Sequence, residues 1–181
     1  MISVEIDDRQ IRAVLNRLSA AAGKLRPAMQ SIGELLAETT RRRFAAGHGP
    51  DGAPWAPNSE VTVLNYLRQR GGSFKKDGSL SKRGQRASAA KKPLIGESHR
   101  LSTEIHYQAA DREVRIGSSL AYAATQQFGA RKGQFGAGRH GRPLPWGDIP
   151  ARPFLGISSS DEDAVLRLLH NHLARAAGQH P

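Results

Sequence analysis

The chain's most conspicuous chemistry is a concentration of positive charge. From Arg68 to Lys92 there are nine lysines and arginines against one acid, Asp77, so this stretch supplies +8 of a net charge of +11. Such a segment binds anions: phosphates, or the carboxylates of a partner. Lys75, Lys76, Lys82, Arg83, Arg86, Lys91 and Lys92 are the candidates for contact with nucleic acid or an acidic partner. Phe74 is the only aromatic residue there once the flanking segment ends, so the stacking platform of single-strand binders is missing. A solvated loop or a dock for an acidic protein outweighs contact with DNA, and all three readings stay open.

Catalytic constellations do not emerge. The seven histidines are scattered without an HExxH spacing. His170 and His172 stand two apart, which on a helix turns them to different sides, and His172 lies on an apolar stripe where packing outweighs metal ligation. Cysteine is absent, which excludes disulfides, thiolate metal sites and a Cys nucleophile and fits a reducing compartment. There is no nucleophile elbow and no P-loop. The glycine string Gly133-Gln134-Phe135-Gly136-Ala137-Gly138 has the look of a phosphate cradle, but no strand precedes it, and Pro143 and Pro145 follow instead of a helix. The expectation is a protein that binds and does not turn over, with no catalytic residue, cofactor or metal.

The elements that must position these groups can be read from periodicity. Length, 181 residues, suits a single domain over 1–181, and 19 glycines with 10 prolines imply much loop. The N-terminus lacks the order of a signal peptide, and no apolar run approaches the roughly 20 residues of a membrane helix, so a soluble protein without membrane contact is expected. Residues 2–6 alternate as a short strand, and Asp7 or Asp8 could cap the helix that follows. Ile11, Val14, Leu15, Leu18 and Ala22 predict a helix over 8–22, ended by Gly23. A second helix starts near Arg26-Pro27 and ends at Gly47, with Arg41, Arg42 and Arg43 suited to its C-terminal dipole. These two are expected to form an antiparallel pair.

Residues 47–60 are turn chemistry, with Trp55 plugging the loop onto the core, and 61–67 are ambiguous between strand and helix. Residues 68–92 read as a basic mobile loop or arm, because little apolar surface there offsets the entropy of ordering. Alternation over Leu101, Thr103, Ile105 and Tyr107, then Val114 and Ile116, predicts a hairpin. Residues 120–128 read as a short helix ended by Gly129, and 129–148 as a second loop rich in Gly, Arg and Pro. Ser159 with Glu162 matches a capping box for a last helix over 159–177. The fold class is α+β: a small antiparallel sheet with three long helices packed on it and two long loops.

Three segments carry a resemblance: Phe44 through Pro57 (FAAGHGPDGAPWAP), Tyr122 to Gly129 (YAATQQFG) and Ile149 to Gly156 (IPARPFLG). Lys92-Pro93-Leu94-Ile95 with Leu101 adds the element before the hairpin. In order and spacing these resemble the phage virion morphogenesis family, which includes tail-completion proteins of P2-like and Mu-like phages, over nearly the whole chain. Each segment alone is weak, and together they are specific; 68–92 and 130–147 carry no family signature. Trp55, Tyr122, Phe128 and Phe154 read first as core packing, with Trp55 and Phe154 also candidates for an interface. Arg152, flanked by Pro150 and Pro153, offers a held guanidinium fork either to a neighbour's carboxylate or to its own chain.

The resemblance implies a structural assembly protein of tail completion or head–tail joining. It implies ring-type homo-oligomers, with a hexamer as one size, and docking on tail-tube or neck proteins. Genomic DNA in the channel is a further partner to weigh. The implied location is the tail or neck of the virion, and the host cytoplasm during assembly. The alternative is a DNA-binding module using the basic 68–92 arm.

Overall fold

The computed structural model describes residues 9–136 and 147–178. The strand expected over 2–6, with its Asp7 or Asp8 cap, and residues 137–146 of the second loop lie outside the described residues. Among the described residues the fold is α+β, with helices α1 (Arg9–Ala22), α2 (Arg26–Ala46), α3 (Glu60–Arg68), α4 (Lys82–Ala90), α5 (Arg100–Thr103), α6 (Ala123–Phe128) and α7 (Ser159–Ala177). Strands β1 (Ile105–Ala109) and β2 (Val114–Ser118) form a two-stranded antiparallel hairpin. The described chain divides into two compact units, one of residues 9–39, 106–117 and 157–178, the other of 40–105, 118–136 and 147–156.

In the first unit, α1 packs along α7. The expected pairing of α1 with α2 is therefore corrected: α1 lies on the C-terminal helix, with Val14 and Leu18 half-buried and Leu15 exposed. The first part of α2 buries Ala28, Ile32, Leu36 and Ala37, which recur at helical spacing. Gly33 lies on the same helix because Tyr107 of β1 crosses it. A Cβ at Gly33 would stand 2.2 Å from Tyr107 Cδ2. Tyr107 Oη donates to Glu34 Oε1 at 3.2 Å, and desolvation, then Glu34, push its pKa up.

The capping box of α7 is shifted by one residue from the expectation. Ser158 is the N-cap: its Oγ accepts from the Asp161 N–H, and the Asp161 carboxylate accepts from the Ser158 N–H at 2.9 Å. Asp161 is buried by this role, whereas Glu162 remains exposed.

The second unit is built around Phe44, Trp55, Leu67, Leu101, Ile105 and Phe154. Residues 61–67 resolve as helix α3, capped by Ser59, whose Oγ accepts from the Thr62 N–H. The stretch expected as a basic loop or arm holds regular structure. Phe74 and Leu80 pair in an antiparallel bridge, Ser81 caps α4, and α4 packs on α3. Its order comes from polar and backbone contacts, not from apolar burial. Ser81 Oγ donates to the Gly72 carbonyl at 2.6 Å, and Gly84 is placed so that a Cβ would stand 2.1 Å from the Ser73 carbonyl oxygen. The hairpin begins later than the alternation predicts, because residues 100–103 take one helical turn, α5, before β1.

Candidate functional site

The three segments that are far apart in sequence come together in the second unit. Their wiring starts from Arg43, in the last turn of α2. It is buried, and its Nη1 donates to the carbonyls of Phe154 (3.1 Å) and Gly156 (2.8 Å). The sequence offered only a dipole role for this residue. Phe44 follows it, packing edge-on against Trp55 at 5.3 Å between ring centroids and tilted against Phe154 at 5.4 Å. Each such aromatic pair contributes about 0.5–1.5 kcal/mol beyond burial. Trp55 Nε1 donates to the Pro153 carbonyl at 2.7 Å, so its polar handle is satisfied inside the cluster.

Arg152 forms the intrachain pairing that the sequence left open beside a neighbour's carboxylate. It is 7% exposed, donating from Nε to the Ala56 carbonyl and from Nη2 to the Pro57 carbonyl, both at 2.7 Å. Its backbone N–H donates to the Gln126 carbonyl at 2.8 Å. Burial lowers its pKa. Trp55, Arg152 and Phe154 thus all lie buried within the unit, where they tie 44–57 to 149–156.

The third segment is held by Gln127, which no sequence pattern singled out beyond its place in YAATQQFG. Its Oε1 accepts from the N–H groups of Phe154 (2.9 Å) and Leu155 (3.0 Å), and its Nε2 donates to the Leu155 carbonyl (3.0 Å). Gly129, at φ 75°, closes α6 where a Cβ would stand 2.7 Å from the Ile149 carbonyl oxygen. Ala130 and Ile149 then exchange both backbone hydrogen bonds. Between these two fixed residues sits Phe128, 78% exposed. The expectation that Phe128 and Tyr122 pack the core is corrected, since Tyr122 is exposed as well. We refer to this three-segment arrangement as the clasp.

Beside the clasp lies a groove of about 1200 Å³, with Pro57, Val61, Asn65, Leu94, Tyr122 and Ile149 among its walls. The candidates of the basic stretch divide into two groups. Lys75, Lys76, Lys82, Arg83 and Arg86 are exposed. Lys91, half-buried, and Lys92, exposed, line a smaller pocket with Tyr66 and Arg70, and Lys91 also borders the larger groove. Asp77 caps the turn between Phe74 and Leu80: its Oδ1 accepts from the hydroxyl (2.6 Å) and N–H (2.8 Å) of Ser79, which lowers its pKa.

Among the described residues, no group of three or more His, Asp or Glu side chains could hold a metal ion, and no helix is long and apolar enough to cross a membrane. Arg43, Trp55, Gln127 and Arg152 spend polar groups on contacts inside the clasp, while the Tyr122 and Phe128 rings are exposed.

Comparison with known proteins agrees with the segment pattern. The sequence model described as "Phage virion morphogenesis family" matches residues 6–174. The chain is 27% identical over 173 residues to "Mu-like prophage FluMu G protein 2" of Haemophilus influenzae, covering 95% of this chain and 96% of that protein. It is 28% identical over 144 residues to "Tail completion protein S" of Escherichia phage P2, covering 80% of this chain and 81% of that protein. No solved structure matches at a significant level.

Proposed function

The chain belongs to the phage virion morphogenesis family, and on that premise we propose that it is a structural protein of phage tail assembly, acting by docking and without turnover. The name of the P2 relative supports tail completion as the step. The observation that carries docking is Phe128: a large aromatic ring, 78% exposed, whose two neighbours are both locked by the clasp. An aromatic group held on a rigid frame loses little conformational freedom on binding, which is the property of an interface anchor. Trp55, Arg152 and Phe154 serve the interface by holding that frame. The partners are copies of the chain in a ring, a hexamer being one size, and the tail-tube or neck proteins that the ring meets. The protein then resides at the tail or neck of the virion, after assembly in the host cytoplasm.

The test is deletion of the gene from its phage or prophage, with electron microscopy of the particles released on induction. Incomplete or unjoined tails beside filled heads support the proposal; normal infectious particles refute it.

A second reading, contact with DNA, has one observation in its favour: Lys75, Lys76, Lys82, Arg83 and Arg86 are all exposed within twelve residues. Affinity that falls steeply with salt and is lost on neutralising these five would support it. Affinity unchanged by the five substitutions removes it.

A further inference from the structure

We propose that the pocket walled by Tyr66, Arg70, Lys91, Lys92 and His99 is a socket for carboxylates of a second copy of the chain, supplied by Glu162 and Asp163 in the first turn of α7. The pocket measures about 380 Å³. Two of its cations share one ring: the Arg70 guanidinium carbon lies 4.9 Å and Lys91 Nζ 5.0 Å from the Tyr66 centroid. Arg70 also donates to the Tyr66 hydroxyl, Lys91 to the Ile95 carbonyl, and Lys92 Nζ to the Ala45 carbonyl at 2.5 Å. These bonds fix the three heads but leave each with further N–H donors. Among the described residues Glu97 is the only acid in the lining, so Arg70, Lys91 and Lys92 face one carboxylate. Gathering like charges this closely is unfavourable, and an arriving carboxylate relieves it. Burial already lowers the Lys91 pKa, with Glu97 opposing. In the lining, His99 adopts a positive φ of 51°, a conformation non-glycine residues take at a cost.

The shape favours a side-chain carboxylate over a duplex. A small concave pocket admits the tip of an acidic residue, whereas the exposed cations of 75–86 suit a phosphate backbone better. The chain itself carries a fitting occupant. Asp161-Glu162-Asp163 is the only run of three acids in the sequence. Asp161 is consumed by the capping box, which fixes the helix start, and Glu162 and Asp163 stand exposed beside it. Two different, complementary surfaces on one chain make a head-to-tail contact, the kind that closes into a ring. The inference rests on the ring reading above and has its own test.

The full-length chain is examined by sedimentation velocity at about 0.05 M and about 0.5 M salt, where screening differs strongly. Self-association at low salt that weakens at high salt is expected. Glu162→Lys with Asp163→Lys, and separately Arg70→Glu with Lys92→Glu, should each raise the dissociation constant by about tenfold or more, with unchanged circular dichroism. Mixing the two variants should restore association, because each then offers what the other lacks. A monomeric wild type at low salt, reversed variants that associate normally, or a mixture that stays dissociated would overturn the socket. So would pocket reversal that abolishes DNA binding and leaves self-association intact. Normal tails from the deleted phage would remove the tail role while leaving restoration by mixing as evidence for the socket.

Discussion

Gln127 meets Leu155 with both ends of its amide: Oε1 accepts the Leu155 N–H and Nε2 donates to the Leu155 carbonyl, each at 3.0 Å. The side chain thus does for the loop what a neighbouring strand would do, in a segment where Pro150 and Pro153 disfavour a regular ladder. This bond pair, with Arg152 on the other side, holds α6 and therefore Phe128 in place.

Replacing Gln127 with Ala should leave part-buried backbone groups unpaired and cost about 1–3 kcal/mol. Gln127→Glu keeps the acceptor and loses the donor, so it should fall between wild type and Ala. Urea denaturation reads both; a Gln127→Ala stability equal to wild type would count against the clasp's wiring.

Arg152→Lys should fail to replace the arginine. One ammonium cannot reproduce a fork that reaches Ala56 and Pro57 from two nitrogens. Losses of about 1.5–3 kcal/mol are expected for Arg152→Ala, with Lys recovering less than half. Full recovery by Lys would mean that charge, not fork geometry, matters there.

Gly33→Ala should destabilise the first unit even though Ala is favoured over Gly in a helix by about 1 kcal/mol. The added methyl meets the Tyr107 ring, which must move. Thermal melts of Gly33→Ala, Tyr107→Ala and the double variant should show strong coupling, with the second change costing less once the ring is gone. Additive effects would contradict the close approach.

Asp77 should titrate below the ordinary value of 3.8, because Ser79 donates to its ionised form. A carboxylate whose folded pKa is depressed stabilises fully above the unfolded value, and that contribution is lost as pH falls through the folded pKa. The Ser79 amide resonance should therefore shift with a midpoint below 3.8 and become insensitive in Asp77→Asn. A midpoint at or above 3.8 would contradict the capped turn.

The long helices were legible because their signals are local. The stripe of Ile32 and Leu36 and the stop at Gly47 locate α2, and the serine and acid run locates α7. That run was also ambiguous: three serines before three acids allow several capping boxes, and packing of Asp161 selects Ser158. The partner of α1 is a long-range choice that periodicity does not encode. Helix α4 was missed because Ser81, Gly84 and the Ser73 backbone organise it, leaving no apolar pattern to read. The clasp's segments were visible as motifs, but Arg43 and Gln127, which wire them together, look like ordinary helix residues. The outward direction of Phe128 follows from that wiring and is invisible without it.

The most direct measurement is complementation of the gene-deleted phage with Phe128→Ala, scored by plaque titre and particle morphology, using variant protein whose circular dichroism and melting match wild type. The account predicts a folded, soluble protein that fails to restore complete tails. Restoration of the wild-type titre by Phe128→Ala would contradict the assignment of Phe128 as the docking anchor.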